Sequence, residues 1–130
     1  MVVSIGTLGM VEEQSVDADT LHSDALVMDL TCPLARDPQY LAWWRVGGAH
    51  AIAPTIRGYD GNARTGLAEI GYWHRYTRDN DDATLILAPG DLARARSAGQ
   101  LGLIMHCQGT ALFEDDLDLV DGFAAAGLRI

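Results

Sequence analysis

The chain has 130 residues, which is the length of a single domain, and 48% of them are hydrophobic, which is enough for a real core. Its 18 Asp and Glu residues outnumber its 9 Lys and Arg residues, so the formal net charge is −9. The basic residues form no cluster that could neutralise a phosphate backbone, which argues against nucleic acid as a partner.

No apolar run approaches the roughly 20 residues that a membrane helix needs. Residues 1–14 also lack the basic start and long apolar centre of a signal peptide. We therefore expect no membrane association and a cytoplasmic location. Cys32 and Cys107 fit neither a disulfide framework nor a CxxC zinc site, so both are expected as reduced thiols.

Strand and helix patterns alternate along the chain. A short helix or turn is expected at residues 16–24. Short aliphatic runs bounded by turn signals predict buried strands, and these are residues 25–30, 49–56 and 101–107. Apolar spacing of three or four residues predicts helices, and these lie within residues 36–48, 62–82, 92–98 and 115–127.

Capping residues and apolar stripes refine these helices. Asp91 is a plausible N-cap, Asp115 or Asp116 can cap the last helix, and Gly residues stand where the helices should end. Large apolar side chains at helical spacing suit core stripes better than a ligand cage. They are Trp43, Trp44, Leu67, Ile70, Trp73 and Tyr76 in the two earlier helices and Leu117, Val120, Phe123 and Ala124 in the last.

The alternation predicts an α/β chain with parallel strands joined by right-handed crossovers. The residues after Gly127, "LRI", look like the start of a fourth strand. Active sites of such folds gather at the carboxyl ends of the strands. The polar or distinctive residues at these ends are Asp29, Thr31, Cys32, Pro54, Thr55, His106, Cys107 and Gln108.

Three segments carry a family resemblance: "LHSDALVMDLTCP", "GGAHAIAPTI" and "DLARARSAGQLGLIMHCQGTALFEDDLDLVDGFAAAGLRI". Their order and spacing resemble the amino-terminal third of the membrane dipeptidase family, the M19 metallopeptidases of the amidohydrolase superfamily. The resemblance spans residues 20–130. It implies one partial (β/α)8 TIM-type barrel domain over residues 1–130, with three β/α units and the start of a fourth strand.

The resemblance also implies a two-zinc centre in which zinc-activated hydroxide attacks the carbonyl of a dipeptide. At the positions of the family's ligands, Asp29 is kept, but Thr31 stands for a His and Pro33 for an Asp. Gln108 stands for the Glu that bridges the metals, and an uncharged amide cannot bridge two zinc ions as a carboxylate does. We therefore expect zinc in the family but none bound by this chain alone.

Four strand-end residues remain candidates for a metal site: Asp29, Cys32, His106 and Cys107. Each has a structural alternative, because His106 and Cys107 can be packed wall residues and Asp29 can bond to neighbouring backbone. Cys32 could replace a lost metal ligand, because it lies beside Thr31 and Pro33, which stand where the family has its ligands. As a nucleophile it would need a base, and none stands nearby in sequence.

The resemblance thus implies a dipeptidase-like metallohydrolase that acts on a small dipeptide-like substrate, with this short chain inactive alone. The alternative is a non-catalytic pseudoenzyme fragment or split subunit. Three parallel strands of a barrel leave open edges and an apolar face, which favours a homo-oligomer or docking onto a complementary chain.

Overall fold

A computed structural model describes residues 17–56 and 60–130. In chain order its elements are α1 (Ala18–Asp24), β1 (Met28–Cys32), α2 (Pro38–Val46), β2 (Ala51–Pro54), α3 (Ala63–Asp79), β3 (Ala83–Leu85), α4 (Pro89–Ser97), β4 (Leu101–Leu103), a 3₁₀ turn (Ala111–Phe113) and α5 (Asp118–Ala126). Across these two ranges, every helix is too short or too polar to cross a membrane.

The four strands form one parallel sheet in the order β1-β2-β4-β3. The predicted α/β class with parallel pairing is therefore confirmed. The expected strand count was wrong, because β3 occupies a position that was given no strand. With only three residues in the sheet, β3 is too short to leave a periodic pattern in the sequence.

The segment expected to begin a fourth strand, residues 128–130, runs beside the chain that continues from β4 without forming a regular strand. The Arg129 N–H donates to the Met105 carbonyl at 2.9 Å, and the Cys107 N–H donates to the Ile130 carbonyl at 2.9 Å. The side of β4 that faces away from β2 therefore has two partners. β3 pairs with residues 101–103, and residues 128–130 bond to the chain that follows, at residues 105–107.

The first strand differs most from its prediction. It lies at residues 28–32 rather than 25–30, and its first four residues are exposed rather than buried. The cause is its place at the sheet edge, since among the described residues β1 pairs with β2 alone. The register also shifts within β1, where Asp29 pairs with Ile52 but Cys32 pairs with Pro54. Three steps on β1 thus match two on β2, which is the pattern of a β-bulge.

The main core lies between one face of the sheet and helices α3 and α5. Ile52 and Leu103, paired across β2 and β4, are fully buried together with Trp73 of α3 and Phe123 of α5. Each aromatic side chain of this size removes on the order of 150–250 Å² from water, so these two rings dominate the burial. The stripe predicted on α3 is thus confirmed at its centre.

The predicted apolar stripes are too wide at three helices. Trp43 is 62% exposed, and Leu67, Leu117 and Val120 are exposed as well. For α2 the reason is that it packs beside edge strand β1, which covers only one side of the helix. The outer Trp43 ring instead meets Tyr40 edge-on, with ring centroids 5.0 Å apart.

Side chains cap several helices, although not always at the predicted position. The N-cap of α5 is Leu117 rather than Asp115 or Asp116, but the Asp116 carboxylate accepts the Asp118 N–H at 2.9 Å. Asn62 caps α3 by accepting the Thr65 N–H at 2.9 Å. Asp91 lies inside the first turn of α4, which begins at Pro89, rather than before it. Its carboxylate still accepts the N–H groups of Leu87 and Ala88, at 2.8 and 2.7 Å, so its capping role is kept.

Gly127 ends α5 in a conformation that favours glycine, with φ +115°, and a Cβ there would lie 2.5 Å from Met105 Cε. We expect Gly127→Ala to lower the free energy of unfolding by about 1–3 kcal/mol, through backbone strain and the displaced methionine. Urea denaturation of the two proteins would measure the difference.

Gly122 on the same helix is the matched control, because a Cβ there meets nothing within 4 Å. Gly122→Ala should raise the free energy of unfolding by roughly 0.5–1 kcal/mol, since alanine favours helix. Equal effects of the two substitutions would contradict the conformation assigned to Gly127.

Candidate functional site

A cleft of about 300 Å³ opens where the strands end. Cys32 and Pro33 reach it from the end of β1, Pro54 and Thr55 from the end of β2, and Gln108 from the chain beyond β4. The carboxyl ends of parallel strands are where α/β folds place their binding sites. This cleft is therefore the candidate functional site.

Asp29, the retained acidic residue of the sequence motif, lies beside α2. One carboxylate oxygen accepts the Trp44 indole N–H at 3.0 Å, and the other accepts the Thr31 N–H at 3.2 Å. Burial alone would raise the pKa of Asp29. The hydrogen bonds from the Thr31 N–H and the Trp44 indole, together with the nearby Cys32 thiol, outweigh it and hold the pKa below its usual range. Both oxygens thus have structural partners.

Cys32 is 1% exposed, and its thiol donates to the Asp29 carbonyl over 3.4 Å. Burial, followed by the nearby Asp29 carboxylate, raises the pKa of this thiol to about 12. A thiol with such a pKa stays protonated near neutral pH, whereas the thiolate is the form that attacks substrates or binds metals. The environment of Cys32 therefore suits a packed residue.

His106 also has the surroundings of a wall residue. Its backbone continues the pairing with β2, since Ile56 N–H donates to the His106 carbonyl at 2.7 Å. Its Nδ1 lies 3.4 Å from the Thr55 hydroxyl, and burial lowers its pKa, so the ring is neutral at pH 7. Cys107 is partly buried, and its N–H donates to the Ile130 carbonyl.

The cleft contains an ion pair that the sequence reasoning missed. Glu69 of α3 is only 7% exposed and pairs with Arg36, whose guanidinium lies 4.7 Å from the centre of the Tyr72 ring. The Tyr72 hydroxyl in turn donates to the Arg36 carbonyl at 3.3 Å. The sequence did indicate that Glu69 faces the core, because Glu69 stands four residues before Trp73 and so lies on the same side of the helix.

The residues at the strand ends do not fit the two-zinc centre that the resemblance implied. The Pro33 side chain has no donor atom, and Thr31 and Gln108 are exposed, uncharged side chains. Over residues 17–56 and 60–130, no three His, Cys, Asp or Glu side chains are grouped closely enough to hold a metal ion. The arrangement instead offers a small polar cleft with charged groups from Arg36, Glu69 and Asp60.

No protein-family model and no curated protein matches the chain. Solved structures do match. An amidohydrolase from Pseudomonas aeruginosa has a TM-score of 0.74 and 23% identity, over 85% of this chain and 34% of that one. A dipeptidase of metallopeptidase family M19 has a TM-score of 0.66 and 18% identity, over 80% of this chain and 41% of that one.

The probable dipeptidase PvdM from Pseudomonas aeruginosa has a TM-score of 0.70 and 19% identity, over 86% of this chain and 35% of that one. The resemblance to the M19 family is thus confirmed at the level of the fold. The chain spans about a third to two fifths of the length of these solved proteins.

The buried state of Cys32 predicts its reactivity. Iodoacetamide at pH 7.5 should leave Cys32 unmodified in the folded protein, because the thiol is covered and its pKa is about 12. Peptide mass spectrometry after labelling, with and without urea, would measure this. Cys32→Ser should leave the native labelling pattern unchanged, and rapid native modification of Cys32 would contradict the assignment.

The bond from Trp44 to Asp29 predicts a pH effect. The folded-state pKa of Asp29 is lowered, so its stabilisation is present above the unfolded pKa of about 3.9 and is lost as pH falls through the folded pKa. Trp44→Phe removes one donor and should raise the pKa of Asp29, as read from its carboxyl NMR titration. The stability difference between the two proteins should shrink below about pH 4.

Trp43→Phe is the matched control for this experiment, because Trp43 is exposed and Asp29 accepts from Trp44 instead. It should leave the Asp29 titration where it is in the unaltered protein. An unchanged Asp29 titration in Trp44→Phe would show that the indole does not stabilise the carboxylate.

Proposed function

We propose that the chain is the amino-terminal portion of a (β/α)8 barrel hydrolase of the M19 type, whose complete form acts on small dipeptide-like substrates. One observation carries the proposal: the parallel sheet is similar to M19 and amidohydrolase structures and has a polar cleft at the carboxyl ends of its strands. Two free thiols support a reducing, cytoplasmic setting.

The order of the strands supports the barrel. β1, β2 and β4 lie side by side, and residues 128–130 continue beside the chain that follows β4. In a barrel, the next strand would follow there and the last strand would cover the free edge of β1. Met28 and Leu30 on β1, 40% and 46% exposed, are apolar side chains that such a neighbour would bury.

At the strand ends, Thr31, Pro33 and Gln108 stand where the M19 resemblance implies charged or imidazole side chains, and the described residues group no three metal-binding side chains elsewhere. We expect no detectable hydrolysis of a dipeptide panel by the purified protein, with or without added zinc. The assay would follow amino acid release by mass spectrometry. Turnover that a chelator abolishes would overturn this expectation and would assign a metal site to this chain.

A second candidate function is a non-catalytic fragment or split subunit that acts by self-association or by binding a complementary chain. The specific observation is the outer edge of β1, which pairs with no other strand of the described ranges and is flanked by exposed Leu26, Met28 and Leu30. Unpaired strand edges and contiguous apolar surface are the features through which chains associate.

Sedimentation velocity would test this second candidate. If β1 mediates association, the protein should sediment as an oligomer, and Leu30→Glu should shift it to the monomer, because a charge on this edge opposes pairing. Leu117→Glu is the control, since Leu117 is 84% exposed and lies beside α5. A monomer at all concentrations would leave only the complementary chain as the partner.

A further inference from the structure

A second cavity, of about 740 Å³, opens at the opposite end of the sheet. Residues 48–50 and 99–101, which lead into β2 and β4, form part of its wall. Ser23 of α1, Arg45 of α2 and Arg96 of α4 complete its polar lining. Because this cavity lies at the amino ends of the strands, it is separate from the candidate functional site at their carboxyl ends, which we call the strand-end cleft.

The charges at this cavity are opposite to those of the chain as a whole. The chain carries a net charge of −9, yet among residues 17–56 and 60–130 the cavity lining contains two guanidinium groups and no carboxylate. Arg45 pairs with Asp82 at 3.4 Å. Arg96 donates to the Asp24 backbone carbonyl at 3.1 Å, and within residues 17–56 and 60–130 no carboxylate pairs with it. Arg96 therefore keeps its positive charge available to the cavity.

His50 adds a neutral donor to the same wall. The Val27 N–H donates to its Nδ1 at 3.1 Å, so this nitrogen is unprotonated and the neutral ring carries its proton on Nε2. Burial lowers the pKa of His50, and electrostatic interactions with Arg96 and with His22 lower it further. Arg96 and His50 both line the cavity, so a guanidinium group and an imidazole group share its wall.

We propose that this cavity binds a small oxyanion, namely the phosphate or carboxylate group of a small molecule. Arginine guanidinium groups and an imidazole N–H donate to such oxygens, and an amine or metal cation would meet like charge. The volume lies within the roughly 300–1,000 Å³ of small-molecule sites. The site does not depend on the hydrolase proposal, because it uses none of the strand-end residues.

The test is a titration of the isotope-labelled full chain with inorganic phosphate at constant ionic strength, followed by backbone amide NMR. Saturable shifts are expected at residues 48–50 and 99–101. Arg96→Gln should weaken binding roughly tenfold by removing a charge-assisted hydrogen bond. Arg94→Gln on the same helix is the control, because Arg94 pairs with Asp91 outside the lining, and it should change the affinity less than about twofold.

Three results would overturn the proposal. The first is a linear, unsaturated response to phosphate and the second is equal weakening by the two arginine variants, since either would indicate only general charge attraction. The third is a set of saturable shifts centred on Thr55 and Gln108, which would put the anion in the cleft at the carboxyl ends of the strands. This mapping uses the unaltered protein, so the proposal can fail even if Arg96→Gln does not fold.

Discussion

The shared edge of β4 is the constraint on which the second half of the structure depends. β3 pairs with residues 101–103, and residues 128–130 bond to residues 105–107 along the same side. Two segments cannot pair with the same stretch of backbone, so β3 has to leave the sheet after Leu85. Arg129 lies where the segments meet, and its guanidinium donates to the carbonyls of Leu87 and Ala124 at 2.9 and 2.7 Å. The first bond satisfies a carbonyl group that the departing strand would leave without a partner, and the second joins Arg129 to the last turn of α5.

This strand order also determines which helices lie on each face of the sheet and which residues meet at its two ends. The chain passes β4 on its way to β3 and then returns, and the general rule of right-handed crossovers therefore predicts α4 on the face opposite α2 and α3. That face is tight at Gly102, where a Cβ would lie 2.9 Å from Ile86 Cγ1. The return of α4 to the start of β4 brings Arg96 to the amino-end cavity. One choice of strand order thus produces both the strand-end cleft and a positive cavity at the other end.

Much of the fold could be predicted because local patterns agree with it. The helix over α3, the β2 strand and the parallel pairing follow from apolar spacing and alternation. Exposure could not be predicted in the same way, because it depends on what lies beside each element. Met28, Leu30 and Trp43 are apolar and suggest burial, yet they belong to the edge strand and the helix next to it. The Arg36–Glu69 pair joins residues 33 positions apart, a distance that no local pattern spans.

The candidate site shows why counting along a motif predicts residue identity better than residue orientation. In a regular strand, Asp29 and a residue three positions later would lie on opposite faces. The extra residue in β1 changes this, because Asp29 pairs with Ile52 and Cys32 with Pro54, which share one face of β2. Asp29 and Cys32 therefore both face the helices. There Asp29 accepts the Trp44 indole N–H, and Cys32 packs in the hydrophobic core. A retained Asp in the sequence thus serves packing and hydrogen bonding in this chain. The charged groups that line the cleft come instead from α3 and the loops, and they are Arg36, Asp60 and Glu69.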